Sequence, residues 1–266
     1  MLNEENAIRV IVKSAVESYA AGFEMRHLSE YDDPNGTINM KIHNVFIAVL
    51  GPEIQYYSAL ARSLDSSLGN MLEKMAINIA HLFYKVSQSV EGYLYPGQTI
   101  KIAELLESYK NHWRKPQISD YIGLLKEKTG KTIKKTHISD YYLLDVETQQ
   151  HYLIELKIGG DLDNKKARSE KEAILEQYTI LANKLNTTSN IHIYFATAYN
   201  RFGEDQDWKQ ERVRQFFASD ELLIGKNFWN FICKSKNGYE IVLDEYKKHS
   251  YLILEALNNI KHKYLG

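Results

Sequence analysis

The 266-residue sequence contains one cysteine, four prolines and almost no net charge, with 33 basic against 34 acidic side chains. The single cysteine, Cys233, excludes an intramolecular disulfide framework and a zinc site built on several thiolates. This scarcity is typical of a reducing compartment, so we expect the protein in the cytoplasm. No apolar run approaches the roughly 18–20 residues that span a bilayer, and the acidic N-terminus does not resemble a signal peptide. We therefore expect a mature, soluble chain with no membrane partner.

The balanced charge removes the simplest compositional argument for a nucleic-acid partner, because strongly basic proteins indicate phosphate binding through composition alone. The charges are nevertheless unevenly distributed along the chain. Residues 109–136 contain eight basic side chains against two acids, whereas residues 1–36 contain seven acids against three bases. A local basic surface is therefore compatible with the composition, although solvated lysines on a surface helix would give the same pattern.

The chain also lacks repeats, low-complexity tracts and a linker rich in proline, glycine or serine, which favours one domain over residues 1–266. Helical periodicity predicts a mainly helical layer over residues 1–100. From about residue 136 the period becomes strand-like, and two segments rich in β-formers predict a hairpin over 137–146 and 151–158. A helix and a buried strand follow, which predicts a parallel last pair of strands. We expect an α/β (α+β) fold in which helices flank a central mixed β-sheet.

The predicted hairpin brings charged residues together. A turn centred on residues 148–149 would place Asp140 opposite Lys157. Because strand side chains alternate between faces and cross-strand partners share a face, Glu155 would lie beside both of them. Asp145 would lie on the opposite face and nearer the turn, so the geometry favours Asp140 over Asp145 as the first acid of a site.

Two carboxylates and a lysine on one face have two interpretations, a structural ion pair at a strand end or a metal-dependent site. Asp140, Glu155 and the carbonyl of Leu156 supply the oxygen ligands that Mg²⁺ prefers. Lys157 would orient or help to deprotonate an attacking water and offset charge on a phosphorus centre. This set suits metal-assisted hydrolysis of a phosphodiester bond.

The spacing of Ser139-Asp140, fourteen residues, then Glu155-Leu156-Lys157 resembles the PD-(D/E)XK nuclease signature, with Ser139 where the signature often has proline. Over segments 67–73, 155–176 and 225–231 the wider chain resembles type II restriction endonucleases of the TdeIII type. The resemblance implies a restriction-endonuclease-like fold, with the catalytic core at 136–200 and DNA-recognition or packing elements at 200–266. It also implies Mg²⁺-dependent cleavage of double-stranded DNA by a homodimer at a short palindromic, GGNCC-like site. A DNA methyltransferase is expected as a separate companion protein.

Further candidate residues follow from the resemblance and from the positions of basic side chains. Glu73 resembles the extra acid that some relatives place beside the metal, although a solvated helix carboxylate fits equally well. The candidate DNA-binding residues precede the hairpin, follow the Gly159-Gly160 loop or follow the last predicted strand: Lys134, Lys135, Lys165, Lys166, Arg168 and Arg201. Each of them is also compatible with an ordinary surface charge.

Three functions stay open at this point. The first is a type II restriction endonuclease, and the second is a PD-(D/E)XK nuclease of DNA repair or recombination that recognises DNA structure. The third is a non-catalytic DNA-binding protein in which Asp140, Glu155 and Lys157 form a structural cluster. A glycosidase with paired carboxylates is a weaker alternative, because such an enzyme has no need of the adjacent lysine.

Overall fold

A computed structural model describes residues 2–159 and 162–266 of the chain. These residues divide into two compact units, one comprising the chain up to Ile79 together with Glu240–Gly266, the other comprising Ala80–Tyr239. The expectation of one nuclease domain over 1–266 stays a prediction. None of the described helices is both long enough and apolar enough to cross a membrane.

The first unit is helical. Its elements are α1 (Leu2–Ser29), α2 (Val45–Ala48), α3 (Pro52–Ala80), α8 (Gly238–His249) and α9 (Tyr251–Leu265), the third and fourth of which each extend slightly into the other unit. Val16 and Ala20 of α1 lie one turn apart and pack against Ile253 and Ala256 of α9. This spacing is typical of an amphipathic helix that buries one stripe of its surface.

The second unit is built around a mixed β-sheet. Its elements are β1 (Lys85–Leu94), α4 (Pro96–Lys110), β2 (Ile133–Asp145), β3 (Gln150–Leu156), α5 (Asn164–Leu185), β4 (Ile191–Thr197), α6 (Glu211–Arg214), β5 (Leu222–Ile224) and α7 (Lys226–Ile232), with 3₁₀ turns at Ile118–Lys126 and Ser219–Glu221. The strands lie in the order β1-β2-β3-β4-β5. β1, β2 and β3 are antiparallel neighbours, whereas β3, β4 and β5 are parallel. The predicted α/β fold with helices around a mixed sheet is confirmed.

Strand β1 falls inside the segment 1–100 that the periodicity predicts to be mainly helical. Its apolar residues Val86, Val90 and Leu94 recur every fourth position, a spacing that a helical stripe shares. Pairing with β2 makes this segment a strand. Local spacing alone therefore did not reveal it.

The predicted register of the β2–β3 hairpin was wrong by two residues. Tyr142 pairs with Leu153 and Asp145 with Gln150, so the turn comprises residues 146–149 and lies one position earlier than expected. The Asp145 carboxylate accepts a 3.1 Å hydrogen bond from the Glu147 N–H, which stabilises the turn at this position. A shift of two residues leaves every side chain on its predicted face.

Helix α5 crosses the sheet and begins and ends with defined caps. The Asp163 carboxylate accepts a 2.8 Å hydrogen bond from the Lys166 N–H, and Asn186 adopts a left-handed conformation with φ 54° just after the last residue. Leu175 and Leu181 of α5 belong to the same buried apolar cluster as the sheet residue Phe195. This packing fixes the helix against the strands that carry the candidate acids.

A buried ion pair joins α5 to the 3₁₀ turn before β5. Lys171 Nζ lies 2.7 Å from Glu221 Oε2, and the two side chains are 0% and 1% exposed. The ammonium group also lies 4.6 Å from the ring centre of Tyr121 and 4.4 Å from that of Phe217. Burial lowers the pKa of Lys171 to about 8, although Glu221 opposes this shift.

We expect Lys171→Met to lower the free energy of unfolding by about 3–5 kcal/mol, because Glu221 would remain buried without its cation. The double variant Lys171→Met with Glu221→Gln should recover most of this loss, because it removes the unpaired charge as well. Urea denaturation followed by circular dichroism measures both effects.

The matched control is Lys101→Met. It breaks a pair with Glu104 in which both side chains are about half exposed, at a distance of 3.1 Å, and should change stability by about 0–1 kcal/mol. Equal stability of Lys171→Met and the wild type would contradict the structural role given to the buried pair.

Candidate active site

The three residues of the predicted site meet at the end of β3. Lys157 directly follows the strand, and its backbone N–H donates a 2.9 Å hydrogen bond to the Ala196 carbonyl of β4. Its Nζ contacts the Glu155 carboxylate two residues earlier. On the neighbouring strand, Asp140 Oδ2 accepts a 2.9 Å hydrogen bond from the Leu156 N–H. The structure thus brings Asp140, Glu155 and Lys157 together.

Strand β2 is irregular at Asp140. Ser87 of β1 pairs with Tyr142, but Ser89 pairs with Ile138, so one residue of β1 lies opposite three of β2. Irregularities of this kind bend a strand and redirect its side chains, and they are frequent beside active sites. Asp140 lies in the middle of the irregular segment.

The acids and the lysine alter one another's protonation. Burial, and after it the charge of Asp140, raises the pKa of Glu155 to about 8 against the opposing effect of Lys157. Burial alone would lower the pKa of Lys157, but the Glu155 and Glu170 carboxylates outweigh it and raise that pKa above its ordinary value. Lys157 is therefore held as a cation, which favours an orienting and charge-stabilising role over that of a base.

A third acid, Glu170 of α5, completes the immediate surroundings of Lys157. Its Oε1 lies 3.2 Å from Lys157 Nζ. Sequence reasoning missed this residue, although a signal exists. Glu170 falls between the buried Ala167 and Ile174 at helical spacing, and an acid on a covered helix face indicates a charged partner.

A second ionic group joins β2 to α5 beyond the irregular segment. Lys135 Nζ lies 2.7 Å and 2.9 Å from the two carboxylate oxygens of the buried Glu176, and His137 Nε2 lies 2.8 Å from one of them. Lys135 is thus held by an acid of the fold, and its predicted contact with DNA stays a prediction.

The remaining candidates belong to β2, α5, the loop after β4 and α3. Lys165 and Lys166 are exposed in the first turn of α5, and Arg201 is exposed in the loop after β4. Lys134 lies 3.7 Å from Glu91, and Arg168 lies 3.3 Å from Glu172, so each has an acidic neighbour.

Glu73 lies on α3, in the first unit, and its place beside a metal stays a prediction. Gly160 of the predicted loop lies outside the described residues.

The donor set of the site fits Mg²⁺. Among the described residues no three His, Cys, Asp or Glu side chains form a group that could hold a metal ion. Magnesium, however, is usually bound by one or two carboxylates together with water and substrate phosphate oxygens. Asp140 and Glu155 provide two carboxylates, and their repulsion adds to the larger effect of burial in raising the pKa of Glu155. A divalent cation would remove that repulsion.

Comparison with known proteins places the chain in a family. The family model described as "Type II restriction endonuclease, HinfI" matches residues 4–250. The chain belongs to the HinfI family of type II restriction endonucleases. The type II restriction enzyme HgiCII of Herpetosiphon aurantiacus is 22% identical over 260 residues, which cover 91% of this chain and 92% of the relative. No solved structure matches the chain.

Membership of the HinfI family confirms the coarser prediction, a type II restriction endonuclease, and with it the nuclease and hydrolase class. The finer resemblances, to the PD-(D/E)XK signature and to the TdeIII type, stay predictions.

Asp145 provides a structural contrast to Asp140 within the same hairpin. It is buried, its Oδ2 lies 2.8 Å from Lys234 Nζ, and its Oδ1 accepts hydrogen bonds in the turn. Burial acts to raise the pKa of Asp145, but the lysine and the turn N–H groups outweigh it and lower that pKa. The fold therefore stabilises the charge on Asp145.

We expect Asp145→Asn to lower the free energy of unfolding of the metal-free protein by about 1–3 kcal/mol, since it breaks a charged hydrogen bond. Asp140→Asn should leave stability unchanged or slightly raised, because it keeps an acceptor for Leu156 and removes repulsion with Glu155. Urea denaturation in the presence of a chelator measures the difference. Strong destabilisation by Asp140→Asn would instead indicate a purely structural acid.

Proposed function

We propose that this HinfI-family protein is a Mg²⁺-dependent endonuclease with a PD-(D/E)XK active site formed by Asp140, Glu155 and Lys157. The supporting observation is the convergence of the buried Glu155, the partly buried Asp140 and one lysine at the end of β3, with the donor atoms that the signature requires. The substrate is double-stranded DNA with a short palindromic site, and the resemblance noted in the sequence suggests a GGNCC-like target.

The chemistry divides among the residues of the site. Asp140, Glu155 and the Leu156 carbonyl would hold Mg²⁺, which when bound lowers the pKa of a water molecule and stabilises charge on the phosphate. Lys157 donates hydrogen bonds from a charged ammonium group, so it can orient the attacking water and a phosphate oxygen. Glu155 of β3 and Glu170 of α5 both contact that ammonium group and so hold it in position.

The proposed activity requires two copies of the chain. One site of this kind cuts one strand, and a palindrome presents two equivalent strands related by a two-fold axis. A homodimer with the same symmetry would therefore cut both. A separate DNA methyltransferase would protect the host's own sites, and the exposed Lys165, Lys166 and Arg201 are candidates for contacts with DNA.

We expect the wild-type protein to cut plasmid or phage DNA into discrete fragments in Mg²⁺, and to leave the DNA intact when a chelator is added. Lys157→Ala should slow cleavage by about 10²-fold or more, because the charge that faces the transition state is lost. Gel electrophoresis of time courses measures the rate.

Lys234→Ala is the matched control. Lys234 and Lys157 are each 31% exposed and each pairs with a buried acid, but Lys234 pairs with Asp145 on the other face of the hairpin. This variant should keep its cleavage pattern at a temperature where it is folded. A smear, or cleavage of junctions and ends alone, would favour a nuclease of repair or recombination. Intact DNA with every substrate would leave only a non-catalytic DNA-binding protein.

A further inference from the structure

A cleft of about 440 Å³ lies beside the N-terminal end of α5 and is lined by two segments that are distant in sequence, 109–116 and 211–219. Asn164, the first residue of α5, lies between them. The cleft is lined by one acid, Glu211, and by five basic side chains: His112, Arg114, Lys115, Arg212 and Arg214.

Hydrogen bonds fasten the two walls to each other. Gln215 Nε2 donates to the carbonyls of Tyr109 and Lys110, at 3.2 Å and 2.9 Å. Within the wall formed by residues 109–116, Arg114 Nη1 lies 3.1 Å from Asp120 Oδ1. Asp120 Oδ2 in turn accepts a 2.8 Å hydrogen bond from the Tyr109 hydroxyl. Arg114 is thus held in place by an acid that is itself anchored.

The wall formed by residues 211–219 packs against the buried ion pair of Lys171 and Glu221. Ala218 and Phe217 line the cleft, and the Ala218 N–H donates a 2.7 Å hydrogen bond to Glu221. Phe217 packs under the Lys171 ammonium, which binds the same glutamate. The cleft is therefore a defined feature of the fold.

The cleft's cations differ in whether an acid of the described residues lies beside them. Arg214 lies 3.6 Å from Glu211, and Arg114 has Asp120 as its partner. Arg212 and Lys115 are exposed and form no ion pair with any residue that the structure describes. A concave surface with surplus positive charge concentrates anions, so the ligand chemistry that fits is a phosphate.

The cleft lies close to the candidate active site along one rigid element. Asn164 lines the cleft, and Glu170, which contacts Lys157, is six residues further along α5. Six helical residues rise about 9 Å. The part of α5 that lines the cleft and the part that contacts Lys157 therefore lie within two turns of one helix.

We propose that this cleft binds backbone phosphates that flank the scissile bond, with Arg212 and Lys115 as the direct phosphate ligands. The inference rests on the proposed function, because it takes DNA as the substrate. It adds a binding surface that joins a segment between β1 and β2 to a helix about one hundred residues later. The contact is to the sugar-phosphate backbone, so it contributes affinity and register without reading bases.

The test is the salt dependence of binding to a fluorescent duplex of arbitrary sequence in a chelator, followed by anisotropy between 50 and 200 mM salt. Removing two phosphate contacts reduces the magnitude of the slope of log K against log salt by about two. We expect this change for the double variant Arg212→Ala with Lys115→Ala.

The matched control is Lys85→Ala with Lys236→Ala, which also removes two exposed cationic side chains. Lys85 pairs with Leu144 near the hairpin turn, and Lys236 lies two residues from Lys234, which contacts Asp145 of that turn. Both positions are therefore at the end of the sheet opposite to Glu155, and the slope should equal that of the wild type. The variant Arg212→Lys with Lys115→Arg keeps both positive charges and should also keep the slope, which separates the effect of charge from that of misfolding.

An unchanged slope in the alanine variant, with normal binding by the wild type, would overturn the cleft as a phosphate site. Failure of the wild type both to bind and to cut DNA would instead overturn the proposed function, and the cleft with it.

Discussion

Two neighbouring carboxylates, the buried Glu155 and the partly buried Asp140, repel each other when both are charged, and the elements around them hold a lysine against that repulsion. Asp140 and Glu155 lie on adjacent strands, and Glu170 approaches from α5, so three acids surround the single ammonium group of Lys157. With all groups charged, this cluster has a formal surplus of two negative charges. A divalent cation would neutralise that surplus, which is why the arrangement suits a metal-dependent hydrolase better than a structural ion pair.

Helix α5 supports the cluster and two neighbouring features at once. Glu170 contacts Lys157, Lys171 binds Glu221 beneath the basic cleft, and Glu176 binds Lys135 of β2. Because each helical residue turns by about 100°, these three side chains leave the helix in well-separated directions. A displacement of α5 would therefore disturb the site, the cleft and the irregular strand together. The proposed catalytic and phosphate-binding surfaces are coupled through one rigid element.

The parts of the fold that depend on local periodicity could be predicted from the sequence. The hairpin, the crossover helix and the parallel strand follow from apolar spacing, and the shared face of Asp140 and Glu155 survives a register error of two residues because that error preserves parity. The irregular pairing of β2 could not be predicted, since it depends on β1, whose spacing also fits a helix. Glu170 was missed for a related reason. Helical spacing marks it as an acid on a covered helix face, but its pairing with Lys157 depends on where α5 lies over the sheet, which no local pattern contains.

Charge counting along the chain points to only one wall of the basic cleft, the one that contains Arg114 and Lys115, and the fold explains why. At least four of the eight basic residues in 109–136 have acidic neighbours in space: Lys110, Arg114, Lys134 and Lys135. The excess of basic over acidic residues in segment 109–136 therefore overestimates how many of these cations are available to bind a phosphate. Arg212 belongs to the short helix α6, where basic residues do not clearly outnumber acids in the sequence. In the fold, however, Arg212 and Lys115 line the same cleft. Since a phosphate responds to charges within a few ångströms, and more distant ones are screened, the spatial arrangement determines whether a nearly neutral protein can bind DNA.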